Sequence, residues 1–443
     1  MNDIRRFFLR EAKGKVIKWL RQGYIVAVLG ARQVGKTTLI KELAQKQTVP
    51  CFYYSFDDVL LRGKVASDFY FIKKDLEARL GMVLERLDRE IYLLIDEAQK
   101  EPSVFELLKI FHDSFSEKIK IIVSGSASLE IQKKTSESLA GRAQYVYLFP
   151  LSIGEVLREK FLLPKQSLFT CLFAQKPLLE FLKQQQVLLY PHLSELENLL
   201  SEILVFGLLP GVWQKKTEEK MGYLRSIVSL YLEKDIRLTG LVKELDIFQN
   251  LLEILSFQVG GVLNLTNLSS QVQTSVNTLK NYRSILKNTF VLKTLSPYIA
   301  AAQKRLVKNT KVYFYDVGVA NFLAGREKIA NIFDSKASGG IFENIILKTY
   351  EAFSQNETVP VRTYFWRNYQ GNEVDLILKK EDRVIPIEIT NSTNIVSKKI
   401  TNLGLFLEET SQADFGLVVY NGELKTIPVK TKQLICLPWW LWW

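Results

Sequence analysis

The sequence has few of the residues that build disulfide frameworks or zinc sites. Its 443 residues include three cysteines, Cys51, Cys171 and Cys436, and two histidines, His112 and His192. The cysteines are odd in number and far apart, which argues against a disulfide framework and for a reducing compartment. The histidines show no zinc-site spacing. The sequence therefore predicts neither a disulfide scaffold nor a structural zinc site.

Long apolar runs are also missing. The apolar patch Phe7–Leu9 is too short for the core of a signal peptide, and no run approaches the length of a transmembrane helix. We therefore expect a cytoplasmic protein without a membrane span. The length predicts two to four domains. The net charge of +12 fits nucleic acid or anionic lipid as a partner, and fits an ordinary solvated surface equally well.

A glycine-rich loop lies between a predicted strand and a predicted helix. Tyr24–Leu29 is typical of a buried parallel strand, and Lys36–Ala44 is typical of a helix. The loop between them fits the pattern Gly-x-x-x-x-Gly-Lys-Ser/Thr, in which backbone N–H groups wrap a phosphate. The pattern predicts ATP as cofactor. The residues expected to contact the nucleotide are Gly30, Ala31, Arg32, Gln33, Val34, Gly35, Lys36, Thr37 and Thr38.

Two of these residues and a later acidic pair have predicted roles in the chemistry. Lys36 is expected to reach the β- and γ-phosphates, and Thr37 to ligate Mg²⁺. A second buried strand, Ile91–Ile95, ends in Asp96 and Glu97. We expect Asp96 to hold the magnesium through water, and Glu97 to act as the general base on the attacking water. Such a pair is a weak signal alone, but a strong one about 60 residues after a complete phosphate-binding loop.

Two further segments supply candidate groups for hydrolysis. The strand Ile119–Val123 runs into Ser124-Gly125-Ser126, and Ser126 or Ser124 fits a polar sensor near the γ-phosphate. A plain Ser-Gly turn is the alternative. Arg142 precedes the strand Ala143–Phe149 and is a candidate arginine finger, in cis or from a neighbouring subunit of a homo-oligomer. A surface charge is the alternative for Arg142.

Short motifs follow one another in a specific order along the chain. Gly-Ala-Arg-Gln-Val-Gly-Lys-Thr-Thr, Asp-Glu-Ala-Gln, Gly-Ser-Ala-Ser, Ser-Leu-Ala-Gly-Arg and Phe-Pro-Leu-Ser-Ile-Gly-Glu come first. Gly-Leu-Leu-Pro-Gly, Tyr-Leu-Glu-Lys-Asp-Ile, Lys-Arg-Leu-Val-Lys and Tyr-Phe-Tyr-Asp-Val-Gly come later. Over nearly the whole chain, this series resembles a large bacterial and archaeal family of AAA-type ATPases that carry a C-terminal domain of unknown function. The resemblance implies a P-loop ATPase core and favours Arg142 as the finger, but it implies no substrate.

The middle of the chain predicts helices and a basic surface. Residues 153–246 show helical periodicity and are expected to form a lid on the ATPase, and Phe248–Leu295 looks like a winged helix-turn-helix. Between Glu253 and Asp316 there are eight lysines and arginines and no acidic residue. This favours nucleic acid, DNA rather than RNA, although winged helices also bind proteins. The expected nucleic-acid face comprises Lys280, Arg283, Lys287, Lys304, Arg305 and Lys308.

The last part of the chain has the pattern of a second α/β domain. It resembles the PD-(D/E)XK nuclease fold, in which carboxylates on a helix and on two strands hold a metal ion. Thr390 stands where that pattern has lysine, and a positioned donor is typically worth about a hundredfold to a thousandfold in rate. Lys398 or Lys399 on the next helix could replace it, but we expect a degenerate fold that does not cut. The matching carboxylates are Glu343, Asp375 and Glu388.

The sequence thus predicts a four-part α/β protein. The parts are an AAA-type core (1–152), a helical lid (153–246), a winged helix-turn-helix (247–312) and a nuclease-like domain (313–443) whose tryptophan-rich tail packs over it. Two functions fit: an ATPase coupled to nucleic-acid binding, and an ATP-driven regulatory or assembly switch acting on a protein partner. A small-molecule kinase fits less well, because the acidic pair favours hydrolysis by water.

Overall fold

The computed structural model divides into two compact units. It describes residues 8–443 except 46–47, 127–138, 162, 165, 175–176, 238–239, 241, 300–308, 334–336, 356, 358 and 360. Unit 1 comprises residues 1–149 with 288–290, and unit 2 comprises residues 150–287 with 291–443. Among the described helices, none has both the length and the apolar character that a membrane crossing requires.

Unit 1 is built on a five-stranded parallel sheet. The strand order is β2-β3-β4-β1-β5, and every neighbouring pair is parallel. All six residues of β1 are buried, as expected for a strand covered on both faces. The parallel α/β fold predicted from the sequence is confirmed. The strands are β1 (Ile25–Gly30), β2 (Cys51–Ser55), β3 (Ile91–Asp96), β4 (Ile119–Ser126) and β5 (Ala143–Tyr147).

Helices connect and cover the strands of unit 1. Apolar residues on α5 recur at helical spacing and pack into the same core as the buried positions of β3 and β4. Two short 3₁₀ turns flank β3: Leu84–Arg86 precedes the strand and Ala98–Lys100 follows it. The helices are α1 (Ala12–Arg21), α2 (Lys36–Gln45), α3 (Val59–Ser67), α4 (Phe71–Leu80) and α5 (Val104–Phe115).

The first part of unit 2 is helical. The described residues between 153 and 246 form helices and turns without a strand, as their periodicity predicts. A π-helical stretch, Tyr231–Arg237, follows α11 directly, and a 3₁₀ turn, Tyr190–His192, precedes α9. The helices are α6 (Ile153–Phe161), α7 (Leu168–Leu172), α8 (Leu178–Leu189), α9 (Leu193–Phe206), α10 (Pro210–Trp213) and α11 (Thr217–Leu230).

Three helices and a β-hairpin occupy the stretch expected to be a winged helix-turn-helix. They are α12 (Leu245–Phe257), α13 (Leu265–Gln271), α14 (Val276–Asn288), β6 (Leu292–Pro297) and β7 (Lys311–Phe314). The first helix begins at Leu245, three residues before the predicted start of the module at Phe248, and Phe248 belongs to its buried face. β6 and β7 pair antiparallel, and the backbone of residues 260–263 also hydrogen-bonds to β7.

The hairpin belongs to an eight-stranded mixed sheet that continues to the C terminus. The order is β12-β13-β11-β10-β9-β8-β6-β7, and Ser296–Pro297 of β6 pair with Tyr364–Phe365 of β8. The hairpin and the C-terminal α/β part therefore share one sheet. The strands are β8 (Arg362–Arg367), β9 (Glu373–Lys380), β10 (Arg383–Ile389), β11 (Phe415–Tyr420), β12 (Lys425–Val429) and β13 (Lys432–Pro438). The remaining helices are α15 (Val317–Leu323), α16 (Ile329–Phe333), α17 (Ser338–Ser354) and α18 (Ser397–Glu409).

Two of the short motifs described in the sequence analysis meet at Asp316. Its buried carboxylate caps α15 by accepting from the backbone N–H of Val319 and also accepts from that of Leu208 at 2.6 Å. A Cβ atom at Gly207 would lie 2.2 Å from this carboxylate, so the position requires glycine. The Gly-Leu-Leu-Pro-Gly and Tyr-Asp-Val-Gly motifs therefore hold each other in place.

The tryptophan-rich tail is part of the core of unit 2. All four of its tryptophans are buried. The indole of Trp442 donates to the carbonyl of Ile346 on α17 at 2.8 Å and packs edge-on against Phe169. The tail thus packs over the C-terminal part of the chain, as predicted from the sequence.

Candidate functional site

The glycine-rich loop turns sharply between β1 and α2. Gly35 has φ +92°, and a Cβ atom at Gly30 would lie 2.1 Å from the carbonyl oxygen of Leu148, so both positions require glycine. The ammonium of Lys36 donates to the carbonyls of Gly30 at 3.0 Å and Ala31 at 2.8 Å. The loop residues predicted to bind the nucleotide therefore form one compact turn at the carboxyl end of β1.

A residue that the sequence did not indicate braces this loop. Arg10, which is buried, donates to the carbonyl of Val34 within the loop at 2.6 Å and to that of Phe149 at 2.5 Å. The guanidinium thus ties the loop to the end of the β5 segment. No spacing or periodicity in the sequence identifies an arginine so far from its partners.

Asp96 is surrounded by hydroxyl groups. Its Oδ2 accepts from Thr37 Oγ1 at 2.7 Å and from the Tyr53 hydroxyl at 2.8 Å, and its Oδ1 accepts from Ser124 Oγ. Asp96 is only 3% exposed, and these three donors are neutral hydroxyl groups that bring no compensating charge of their own. A threonine hydroxyl facing a carboxylate is the oxygen donor set that Mg²⁺ prefers, so the predicted pair Thr37 and Asp96 fits that ion.

Glu97 adopts an unusual backbone conformation directly after β3. Its φ is +53°, a left-handed conformation that typically costs a non-glycine residue about 1–3 kcal/mol and is often found at functional sites. Its carboxylate accepts from the Gln99 side-chain amide at 2.5 Å. Gln99 belongs to the Asp-Glu-Ala-Gln motif, so the motif supplies both the predicted base and a group that orients it.

The two sensor candidates lie on β4, between the two strands that carry the loop and the acidic pair. Ser124 contacts Asp96, so it touches the predicted magnesium ligand rather than standing apart as a simple turn residue. The backbone of Ser126 is in register with Gly30 at the start of the loop. The side chain of Ser126 lies outside the described part of the chain.

Arg142 lies at the amino-terminal end of the parallel strands, whereas the glycine-rich loop lies at their carboxyl end. Its carbonyl accepts from the N–H of Ile25 at the start of β1, whereas the loop begins at Gly30, about 17 Å further along the strand at about 3.3 Å per residue. This placement does not fit a finger acting in cis. The guanidinium donates to both carboxylate oxygens of Asp113, at 2.6 and 2.9 Å, and lowers the pKa of Asp113 to about 2.

Unit 2 brings its three predicted carboxylates together. Glu343 on α17, Asp375 on β9 and Glu388 on β10 are all buried. Lys399 on α18 lies 2.8 Å from Asp375 Oδ2 and 2.5 Å from Glu388 Oε2. The hydroxyl of Thr390 accepts a local backbone hydrogen bond from Ser392, so Lys399, rather than residue 390, supplies the ammonium group beside Asp375 and Glu388.

A second lysine, which the sequence did not indicate, enters the same cluster from β7. Lys311 is 2% exposed, and its ammonium lies 2.9 Å from Glu343, 2.6 Å from Glu373 and 3.6 Å from Asp375. The Tyr313 hydroxyl also donates to Glu343. No group of three or more acidic, histidine or cysteine side chains in the described ranges is arranged to hold a metal ion.

The titration of this cluster reflects burial and the two lysines. Burial raises the pKa of Glu343 to about 7, although Lys311 opposes the shift. Burial and the neighbouring Asp375 raise the pKa of Glu388 well above its usual range. Burial also works to raise the pKa of Asp375, but Lys399 and Lys311 outweigh it and hold that pKa below its usual range. The three carboxylates and the two lysines therefore form a buried network of ion pairs.

The basic stretch divides into outward and inward groups. On α14, Lys280 and Lys287 are exposed and Arg283 is half-buried. Although the Lys287 side chain reaches solvent, the surrounding protein partly desolvates its ammonium group and lowers its pKa, and repulsion from Arg283 and Lys293 adds to the shift. Lys293 is instead 2.6 Å from the buried carboxylate of Glu351, and Lys311 points into the acidic cluster. The other predicted face residues lie outside the described residues: Lys304, Arg305 and Lys308.

Comparisons with known families match three parts of the chain. Residues 22–157 match the model of an AAA domain. Residues 197–330 match a domain of unknown function (DUF8612), and residues 338–442 match another (DUF4143).

Whole-chain relatives are distant and uncharacterized. A Mycobacterium bovis protein is 23% identical over 94% of this chain and 80% of its own length. A Haemophilus influenzae protein is 21% identical over 85% of this chain and 84% of its own. Among solved structures, the Walker-type ATPase PABY2304 of Pyrococcus abyssi is 14% identical, with a TM-score of 0.44 over 72% of this chain and 96% of its own. Thermotoga maritima RuvB is 15% identical, with a TM-score of 0.29 over 65% of this chain and 90% of its own.

Proposed function

Because this chain carries an N-terminal AAA-type P-loop ATPase domain followed by two domains of unknown function, we propose that it binds ATP with Mg²⁺ and hydrolyses it. The observation that carries the proposal is the 2.7 Å contact between Thr37 of the loop and Asp96 of β3. These residues are 59 positions apart in sequence, and the parallel sheet brings them together beside the loop that receives the phosphates.

Each residue around the loop has a distinct part in the proposed reaction. Lys36 neutralises β- and γ-phosphate oxygens, and the loop amides of residues 30–38 bind the phosphate chain. Thr37 and Asp96 hold the magnesium ion, which supplies charge neutralisation when bound. Glu97, oriented by Gln99, accepts the proton of the attacking water. Ser124 or Ser126 reports the state of the γ-phosphate to the sheet.

We propose that Arg142 acts in trans. It lies at the amino-terminal end of the strands, far from the loop of its own chain, so it can act only on the nucleotide of a neighbouring copy. A trans finger requires a homo-oligomer and makes hydrolysis depend on assembly. The ion pair with Asp113 then holds the finger at the surface until a neighbour arrives.

We propose nucleic acid, DNA rather than RNA, as the partner. Exposed Lys280 and Lys287 with Arg283 give α14 a cationic surface, and the stretch around them has no acidic residue. Lys304, Arg305 and Lys308 would extend that surface. The proposed role of residues 153–246 is a lid that couples nucleotide state to residues 247–312.

A specific observation favours the second candidate, an ATP-driven switch acting on a protein partner. Two of the eight cations in the basic stretch, Lys293 and Lys311, are neutralised by buried carboxylates and are not available to phosphates. Binding assays at two salt concentrations separate the candidates. For a surface making several phosphate contacts, affinity falls by orders of magnitude between about 50 and 200 mM salt. Absence of binding at 50 mM favours the switch.

We propose that the carboxylate cluster of unit 2 does not cut nucleic acid. The ammonium of Lys311 takes a position among the carboxylates that a nuclease leaves to a divalent cation, and its charge makes a second cation unfavourable there. Incubation with plasmid and linear DNA in Mg²⁺ or Mn²⁺ tests this proposal. Cleavage that is lost in Asp375→Asn would overturn it.

The experiment that tests the proposed function is ATP hydrolysis by the full chain, alone and with single- and double-stranded DNA and RNA. We expect Mg²⁺-dependent turnover and stimulation by DNA. If turnover is the same with and without nucleic acid, the ATPase proposal stands and the switch acting on a protein partner is favoured. Absence of turnover under all conditions contradicts the hydrolysis proposal.

A further inference from the structure

We propose that Tyr53 is a positioning residue for the magnesium site, because its hydroxyl fixes the orientation of the Asp96 carboxylate. The inference rests on the proposed binding of Mg²⁺ and ATP and adds a residue to it. No motif of the loop or of the acidic pair includes Tyr53, which lies 43 residues before Asp96.

Strand pairing explains why this tyrosine reaches Asp96. β2 pairs in parallel with β3, with Tyr53 opposite Leu94 and Ser55 opposite Asp96. Side chains two residues apart on a strand share a face, so Tyr53 and Asp96 lie on the same face of the sheet, one pleat apart along the strands. A phenol is long enough to span that offset, and the hydroxyl donates to Asp96 Oδ2 at 2.8 Å.

The tyrosine ring is itself held by the helix that carries the loop threonine. The ammonium of Lys41 on α2 lies 4.6 Å from the centre of the Tyr53 ring, within the range of a cation–π contact. Thr37 is on the first turn of the same helix. The helix therefore fixes both hydroxyl groups that meet at Asp96 Oδ2.

The shared oxygen suggests different roles for the two hydroxyls. Thr37 is the proposed ion ligand, since its oxygen can bind the ion through a lone pair while its O–H still donates to Oδ2. Tyr53 and Ser124 act only as donors, one on each oxygen of Asp96. A phenolic hydroxyl is a neutral donor, so Tyr53 orients the carboxylate without cancelling its charge.

The test is the substitution Tyr53→Phe, which removes the hydroxyl and keeps the ring. Outer-shell partners of metal ligands are typically worth about tenfold to a hundredfold in metal affinity. We therefore expect the Mg²⁺ concentration that gives half-maximal ATP turnover to rise by about that factor. The Michaelis constant for ATP at saturating Mg²⁺ should stay unchanged, because the hydroxyl that is removed donates to Asp96 and not to the phosphate-binding backbone or to Lys36.

The chain offers a matched control one residue away. Tyr54 donates to Asp75 at 2.6 Å and is more deeply buried than Tyr53. Tyr54→Phe makes the same chemical change at a carboxylate outside the nucleotide site. Its half-maximal Mg²⁺ concentration should match that of the wild type. Equal midpoints for the wild type and both variants, or equal shifts in both variants, would overturn the role of Tyr53.

A binding measurement keeps this test separate from the hydrolysis proposal. Mn²⁺ is titrated into the full chain in the presence of a non-hydrolysable ATP analogue. Electron paramagnetic resonance monitors the bound ion and reports its affinity without turnover. Tyr53→Phe should weaken Mn²⁺ binding about tenfold or more, and Tyr54→Phe should not. If the wild type binds Mn²⁺ but does not turn over ATP, the hydrolysis proposal is wrong, and the Mn²⁺ affinities still test the role of Tyr53. Unchanged Mn²⁺ affinity in Tyr53→Phe overturns the inference.

Discussion

The molecule holds buried carboxylates in two contrasting ways. In unit 1, Asp96 is bound by three hydroxyl groups. In unit 2, Asp375 and Glu388 share the ammonium of Lys399, and Glu343 is paired with Lys311. Asp96 and Asp375 are similarly buried, at 3% and 8% exposed, so burial is not what distinguishes them.

The difference lies in the charge of the donors. Hydroxyl groups orient a carboxylate and leave its negative charge for a cation, whereas ammonium groups orient it and neutralise it. A cluster of acidic residues at strand ends therefore does not define a metal site by itself. This difference supports the proposal that Asp96 holds the ion and that the second cluster is a structural network.

The largest effect is expected from replacing Glu97, the proposed general base of the nucleotide site in unit 1. Glu97→Gln should lower the turnover of ATP by about a hundredfold to ten-thousandfold, the usual contribution of a general base, while bound ATP is retained. Rapid-quench hydrolysis and nucleotide-binding assays measure the two quantities. Glu101→Gln, the same change four residues on, is the control and should turn over normally. A wild-type rate in Glu97→Gln would remove Glu97 as the base.

The next prediction asks whether the first site is complete in one chain. Arg142→Ala should slow hydrolysis by about tenfold or more with little change in nucleotide affinity, because the finger acts only in the transition state. Mixing Arg142→Ala, which keeps its loop, with Lys36→Ala, which keeps its finger, should restore turnover above that of either variant. No restoration, together with a wild-type rate for Arg142→Ala alone, would return Arg142 to a surface charge.

Stability should reveal the structural role of the second cluster. Lys311→Met removes the ammonium group that pairs with the buried Glu343, and breaking a buried ion pair typically costs about 3–5 kcal/mol. Urea denaturation followed by tryptophan fluorescence reports this loss, since the four tail tryptophans are buried in unit 2. Lys280→Met, at an exposed position of α14, should change stability by less than about 0.5 kcal/mol. Equal stability of the two variants would mean that Lys311 does not balance the cluster.

The smallest expected effect tests the cationic surface of α14. Lys287→Gln should weaken DNA binding modestly at every sequence and reduce the slope of log affinity against log salt by about one. Lys183→Gln, an exposed lysine on α8, is the matched control and should leave the slope unchanged. An equal slope for wild type and Lys287→Gln would place DNA binding, if present, away from α14.

Local chemistry was predictable from the sequence, and long-range pairing was not. The loop, the acidic pair and the parallel strands follow from contiguous motifs and apolar runs, so their positions agree with the structure to within a few residues. Tyr53 and Arg10 join the first site through sheet and loop contacts that leave no periodic signal. Lys311 looked like one more cation of the basic stretch, because charge counting cannot show that Glu343, 32 residues later, faces it.

The number of Mn²⁺ ions bound per chain tests the contrast between the two carboxylate sites most directly. With a non-hydrolysable ATP analogue present, we expect one tightly bound Mn²⁺ in the wild type, lost in Asp96→Asn and retained in Asp375→Asn. A second tightly bound Mn²⁺ that disappears in Asp375→Asn would contradict the account, because it would show that the ammonium groups of unit 2 do not replace a metal ion.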